Sequence, residues 1–210
     1  MKFLITGFEP FGESPLNPSQ RLVDSLPDGL FDDVLINKAI LPVNQIKGPQ
    51  TLLQAIHDCQ PEVILAFGLA TGRARISLER ITVNLMDYRI PDNAGNLVCD
   101  QPIIANGPAA YFSTLPLRDM LNALQREGIP VELSLSAGAY LCNQVFYTMM
   151  HEIATRNLAI RAGFIHLPAL PEQAAESDKS VPSLSLDILQ QAVEIMIKQF
   201  KVSPQVFGES

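Results

Sequence analysis

The chain is poor in the residues that would tie it to metals, membranes or polyanions. It carries three cysteines, Cys59, Cys99 and Cys142, an odd number with no C-x-x-C spacing. That pattern argues against a disulfide framework and against a thiol zinc site, and it points to a reducing cytoplasm. Lysine and arginine total 15 against 22 acidic residues, a net charge of −7, and no long run has one sign. A nucleic-acid surface needs clustered Lys and Arg, so none is expected. No apolar segment approaches the ~18 residues that span a bilayer. The first apolar run stops at Thr6-Gly7, too soon for the core of a signal peptide. Internal repeats, low-complexity tracts and charged linkers are missing too. What remains is 210 residues, 47% apolar and 18% charged, the balance of one compact domain over 1–210 with a sizeable core.

Short apolar runs alternate with helical periodicity. Lys2–Thr6, Asp33–Val43, Glu62–Phe67, Val131–Ser136 and Ala159–His166 read as strands, several of them nearly all apolar. Arg21–Leu26, Ile46–Cys59, Leu117–Glu127 and the stretch marked by Leu186, Leu189, Val193, Met196 and Phe200 read as helices. Asn17 or Ser19 falls near the cap of the first. Ile76–Met86 reads as one extended stretch, in which Ile81, Val83 and Leu85 alternate with polar residues. Asp87–Thr114 is a long loop rich in Pro, Gly and Asn, and Glu172–Pro182 is a polar, mobile segment. The order implies an α/β fold: a mainly parallel, twisted central sheet covered on both faces, hence three α/β/α layers. Ligands in such folds bind beyond the carboxyl ends of the strands. GFEPFG, GLATGR, AGAYLC and His166 all fall at such ends.

The stretch from Ser134 to Arg156 holds the most reactive candidate. Cys142 stands where a helix begins, followed by Val145, Phe146, Met149, Met150 and Ile153 at helical spacing. A thiol there meets unsatisfied N–H groups and the positive end of the helix dipole, so its pKa is expected to fall, to about 7 or below. A buried, inert cysteine is the alternative. Glu79 shares parity with Ile81, Val83 and Leu85 and so is expected to face inward, which is rare for a carboxylate without a partner or a role. With His166 the three suggest a thiolate nucleophile, a proton-carrying imidazole and an orienting carboxylate. Backbone N–H groups at the helix start, with Arg89 beside them, would hold an oxyanion. No metal is required. Phe8 and Phe11 are either flat walls for a small ring or aromatics folded onto the core. Asn17 and Asn143 fit caps or turns. His57 and His151 fall within helices and are expected at the surface. Arg73, Arg75, Arg80 and Arg89 read as solvated charges unless the site recruits one.

TGFEPFG with LNPS, GLATGR–ISLER, RIPDN–GN, GPAAYFSTLP, SAGAYLCN and GFIHLP together resemble the pyroglutamyl peptidase I family, also called pyrrolidone-carboxylate peptidases. The likeness runs from the first strand to about Gln173. It implies a cysteine peptidase that removes an N-terminal pyroglutamyl residue from peptides, with Cys142 as nucleophile, His166 as base and Glu79 as third member. It also implies a pocket lined by Phe8 and Phe11 with Asn17 nearby, no cofactor, and a cytoplasmic homotetramer on an α/β/α fold. Three positions depart from the family pattern. Leu69 stands where Gln is expected, Thr71 where Gly is, and Gln144 where His is. Leu69 therefore opens a second reading, a related thiol amidohydrolase with altered acyl-group selectivity. A third is a non-catalytic binder using Arg73 and Arg75 on a small anionic ligand.

Overall fold

Apolar runs closed by Gly or Pro become strands, and amphipathic runs become the helices that cover them. The computed structural model describes residues 1–12, 14–27 and 33–202; residues 203–210 of the expected domain lie outside the described residues. The strands are β1 (Lys2–Phe8), β2 (Leu35–Leu41), β3 (Val63–Leu69), β4 (Ile76–Glu79), β5 (Ile81–Val83), β6 (Ala110–Phe112), β7 (Val131–Ser134) and β8 (Arg161–Leu167). The helices are α1 (Pro18–Ser25), α2 (Lys47–Cys59), α3 (Leu117–Arg126), α4 (Leu141–Thr155), α5 (Pro171–Glu176) and α6 (Leu186–Val202). Helix α1 starts earlier than its periodicity predicts. Pro18 suits the first helical position, and the Asn17 side chain accepts the Ser19 N–H as its cap. The polar segment after Leu170 is not simply loose: α5 opens it, and Gln173 reaches Ser14 Oγ at 3.1 Å.

Six strands form one sheet in the order β2-β1-β3-β8-β4-β7. Alternation along each strand sends side chains to two cores. Phe3, Ile5, Val63, Leu65, Phe67, Ile76, Leu78 and Ile165 meet α1, α3 and α6 on one face. Leu4, Phe8, Ile64, Ala66, Ala162 and Phe164 meet α2 and α4 on the other. Phe3, Phe67, Phe146 and Phe164 are wholly buried, each worth roughly 1.5–3 kcal/mol in transfer free energy. These layers are the expected α/β/α arrangement.

Two expectations need correction. First, the strand leading to Cys142 does not run with the others. β1, β2, β3 and β8 are mutually parallel, but β4 pairs antiparallel with β8, and β7 runs with β4. The cause is the short link 70–75. A parallel return needs a crossover of a dozen or more residues; this link re-enters the sheet at the edge where β3 leaves it, so β4 runs back. Residues 135–140 then carry the chain from β7 to the start of α4. Second, Ile76–Met86 is two strands. At Arg80 the N–H donates to Ser134 O (2.8 Å) and the C=O accepts from Ser113 N (2.9 Å), so the chain leaves the sheet there. β5 then pairs antiparallel with β6 in a separate ribbon, inside the stretch read as loop.

Candidate active site

The chemistry gathers on the face covered by α4. Gly68 and His166 are register partners on β3 and β8, and both share parity with Ala66 and Phe164, which face α4. Glu79 pairs with Phe164 across β4 and β8, so it projects to the same face. All four residues of β4 are buried, and Glu79 is 0% exposed. Its burial thus follows from β4 being covered on both faces. The alternation that suggested it belongs to the other ribbon, where Thr82 is buried and Val83 exposed.

His166 Nδ1 lies 2.7 Å from Glu79 Oε1. Beside a carboxylate, Nδ1 is the protonated nitrogen and donates, which leaves Nε2 as an acceptor. Arg73 Nη1 donates to the same Oε1, also at 2.7 Å, and Nη2 donates to Ser136 O at 3.0 Å. Glu79 Oε2 is buried and receives no hydrogen bond from the described residues.

Cys142 is the second residue of α4. No side chain caps this helix, and the first intrahelical bond runs from Gln144 N to Tyr140 O. The N–H groups of the first turn are therefore open at the sulfur. Asn143 fixes the helix start: its side chain donates to Val83 O and Leu85 O and accepts from Val83 N and Thr82 Oγ1, at 2.8–3.0 Å. The sulfur sits against the β3 backbone. A Cβ added at Gly68 would lie 2.9 Å from Cys142 Sγ and 2.8 Å from the Phe164 ring. Gly68→Ala is therefore expected to push the thiol out of line and lower kcat by about 10- to 100-fold. The overpacking costs about 1–3 kcal/mol. Steady-state rates and a melting curve read both; a wild-type rate would contradict the packing.

Burial opposes the lowered thiol pKa expected from the helix dipole. Burial pushes the Cys142 thiol up, to about 12, and the Glu79 charge adds to that, against Arg73 and the backbone N–H. Cys142 keeps partial solvent access, which moderates the push without reversing it. Burial likewise pulls the His166 imidazole below its ordinary 6.5, against Glu79, which raises it. Burial thus disfavours the charged form of both groups, working against the helix end at the sulfur and against Glu79 at the imidazole.

A small cavity of about 40 Å³ adjoins the sulfur, lined by Phe8, Phe11, Asn17, Val43, Leu69, Tyr140, Leu141 and Cys142. It brings together four of the five residues expected around a substrate. Asn17 lines it but is largely occupied: Oδ1 accepts from Ser19 N and Ser19 Oγ, and Nδ2 donates to Glu9 O. Arg89 does not belong to the lining and is exposed; its neighbour Tyr88 points inward instead. Tyr140, which the sequence reading passed over, takes part in the wall, packed on Phe11 and Tyr88. Its place just before a helix that begins with Leu-Cys-Asn was the available signal. Gln144 lies outside the cavity, accepting from Tyr88 Oη and donating to Gln45 O. Thr71 is exposed in the 70–75 link. His151 is not a surface residue: it is half-buried, 2.9 Å from Tyr111 Oη and stacked on Tyr147. A larger cavity of about 790 Å³ lies at the far ends of α2 and α4, among Leu53, Ile56, His57, Leu158 and Ile160; it contains no nucleophile. Among the described residues no helix is long and apolar enough to cross a membrane.

The family model for pyroglutamyl peptidase matches residues 1–202. The pyrrolidone-carboxylate peptidase of Vibrio vulnificus is 49% identical over 196 residues, 93% of this chain and 91% of that protein. That of Yersinia pestis is 44% identical over the same shares. Among solved structures, a mutant pyrrolidone carboxyl peptidase from the hyperthermophile Pyrococcus furiosus superposes with a TM-score of 0.91 at 40% identity, covering 94% of this chain and 97% of that one. The pyroglutamyl peptidase I of Bacillus amyloliquefaciens gives 0.92 at 39% identity, covering 100% and 99%. Fold and sequence agree, and the chain belongs to the pyroglutamyl peptidase family, hydrolases of the cysteine-peptidase type.

Proposed function

We propose that the protein hydrolyses the amide bond after an N-terminal pyroglutamyl residue through a covalent acyl-enzyme, with Cys142, His166 and Glu79 as the catalytic residues. The observation that carries this reading is the Glu79–His166 pair on the face where an uncapped helix start presents Cys142 beside an aromatic cavity. His166 Nε2 takes the thiol proton as the sulfur attacks the pyroglutamyl carbonyl carbon. First-turn N–H groups of α4 receive the developing oxyanion. The imidazolium returns its proton to the leaving amine as the C–N bond breaks. A water deprotonated by His166 then opens the thioester, releasing pyroglutamate and restoring the thiol. Because burial opposes a free-standing thiolate, transfer of the thiol proton to His166 and attack on the carbonyl are coupled.

The lactam suits this cavity because it is flat and uncharged. Phe8, Phe11 and Tyr140 supply aromatic faces. A free amino terminus would bring a charge to be desolvated with no carboxylate in the lining to receive it. The cavity has room for roughly one to three waters, so a ring enters as half-buried Phe11 and Tyr140 part. Release of a reporter amine from pyroglutamyl, prolyl and glutaminyl amides tests the reading. The pyroglutamyl amide is expected to lead in kcat/KM by about 10³-fold or more. Equal rates would favour the second reading, a broader thiol amidohydrolase, for which the apolar Leu69 in the lining is the supporting observation. The depressed imidazole also sets a pH dependence. His166 must be neutral to take the proton, so kcat/KM is expected to hold below pH 6.5 before it falls. An acid limb centred above 6.5 would contradict the buried environment.

The same reading carries a homo-oligomer, a tetramer by family likeness, working in the cytoplasm. Three free cysteines suit a reducing compartment. Phe112 and Leu135, 67% and 72% exposed, are apolar groups that an assembly would cover. Sedimentation at the mass of a single chain would contradict it.

A further inference from the structure

We propose that Arg73 is a positioning residue for this reaction: its guanidinium fixes the Glu79 carboxylate beside His166 and ties it to the turn that delivers Cys142. The inference rests on the hydrolytic reading above.

The geometry of Glu79 carries it. Arg73 Nη1 and His166 Nδ1 converge on one oxygen, each at 2.7 Å, while Oε2 is buried without a partner among the described residues. A carboxylate that is 0% exposed and half unpartnered is costly to keep charged unless a cation lies against it. Arg73 supplies that cation from a side chain only 30% exposed. Without it, Glu79 would be free to rotate about its last torsion and offer either oxygen, or neither, to the imidazole.

The other half of the fork faces the nucleophile's approach. Nη2 donates to Ser136 O at 3.0 Å, and Nη1 lies 3.4 Å from Ser134 Oγ. Ser134 ends β7, and Ser136 lies in the connection to α4. One planar group therefore spans the carboxylate that orients the base and the segment that leads to the sulfur. Its own placement is set locally. A turn closed by Arg73 N to Ala70 O at 3.1 Å holds Gly72 at φ +93°, a conformation that favours glycine. Lysine could supply the charge but not the planar fork.

The charges facing His166 are Glu79 from β4 and Arg73 from the 70–75 link, with the Phe164 ring 5.0 Å away. With Arg73 neutralised, the Glu79 charge is unopposed. His166 then keeps its proton to higher pH, which moves the acid limb of the rate profile upward.

The test compares wild type, Arg73→Gln and Arg73→Lys on a pyroglutamyl amide across pH, with a melting curve for each. Arg73→Gln is expected to raise the midpoint of the acid limb by about 1 unit or more and to lower kcat about tenfold or more with KM little changed. Arg73→Lys is expected to restore the midpoint while kcat stays severalfold low. An unmoved acid limb in Arg73→Gln overturns the proposal. If that variant does not fold, a wild-type kcat in Arg73→Lys overturns it instead. Absence of turnover in the wild type would sink the hydrolytic reading itself, a different result from a variant that matches it.

Discussion

Cys142→Ala is expected to lower kcat on a pyroglutamyl amide by about 10⁴-fold or more, because no other group can form the acyl intermediate. What survives is the contribution of the aromatic cavity and the open N–H groups, which still bind and polarise the substrate. Stability should change little, by about 1.5 kcal/mol or less, because the residue is only half-buried and a small side chain replaces it. The same substitution at half-buried Cys59 or exposed Cys99 is expected to leave the rate within about twofold, since neither touches the cavity lining. Steady-state rates with the three variants, at matched melting behaviour, check this. Activity in Cys142→Ala near wild type would remove the sulfur from the mechanism.

Glu79→Gln keeps the shape of the side chain and is expected to lower kcat by about 10³- to 10⁴-fold, with KM nearly unchanged. The reason is a tautomer. If the amide NH2 faces His166 Nδ1, that nitrogen must accept, and the proton moves to Nε2. Nε2 can then no longer take the thiol proton. If instead the amide oxygen faces Nδ1, the NH2 takes the buried place of Oε2, an atom with no hydrogen-bond partner among the described residues. Either way Arg73 loses its anion. Its side chain is partly exposed and can turn to water, so the stability loss is expected near 1–3 kcal/mol, below that of breaking a fully buried pair. A proportional rise in KM, with kcat retained, would mean that Glu79 binds substrate rather than orienting the base.

Much of the site was legible because strand periodicity is local information. Phe8, Leu69 and His166 fall at the carboxyl ends of β1, β3 and β8, three mutually parallel strands, and apolar runs bounded by Gly or Pro locate those ends. The alternation that points Glu79 inward belongs to the β5–β6 ribbon, and Glu79 is buried because β4 is covered on both faces. The direction of β4 and β7 was readable in principle from the brevity of link 70–75, since six residues cannot hold a crossover helix. The desolvation of Cys142 was not readable, because a helix start is visible in sequence but what packs around the sulfur is not. Arg73, Arg75 and Arg89 could not be ranked for the same reason. Only the fold shows that Arg73 meets Glu79 whereas Arg89 lies exposed outside the lining. Arg73 is thereby committed, and the anion-binding reading that paired it with Arg75 loses its first residue.

The decisive measurement follows alkylation and rate together. The protein is treated with increasing iodoacetamide, the modified cysteine is located by peptide mass, and residual turnover of a pyroglutamyl amide is read on the same samples. Loss of rate is expected to track modification of Cys142 one for one, to be slowed by bound substrate, and to be independent of Cys59 and Cys99. Full turnover by protein whose Cys142 is fully alkylated would contradict the mechanism.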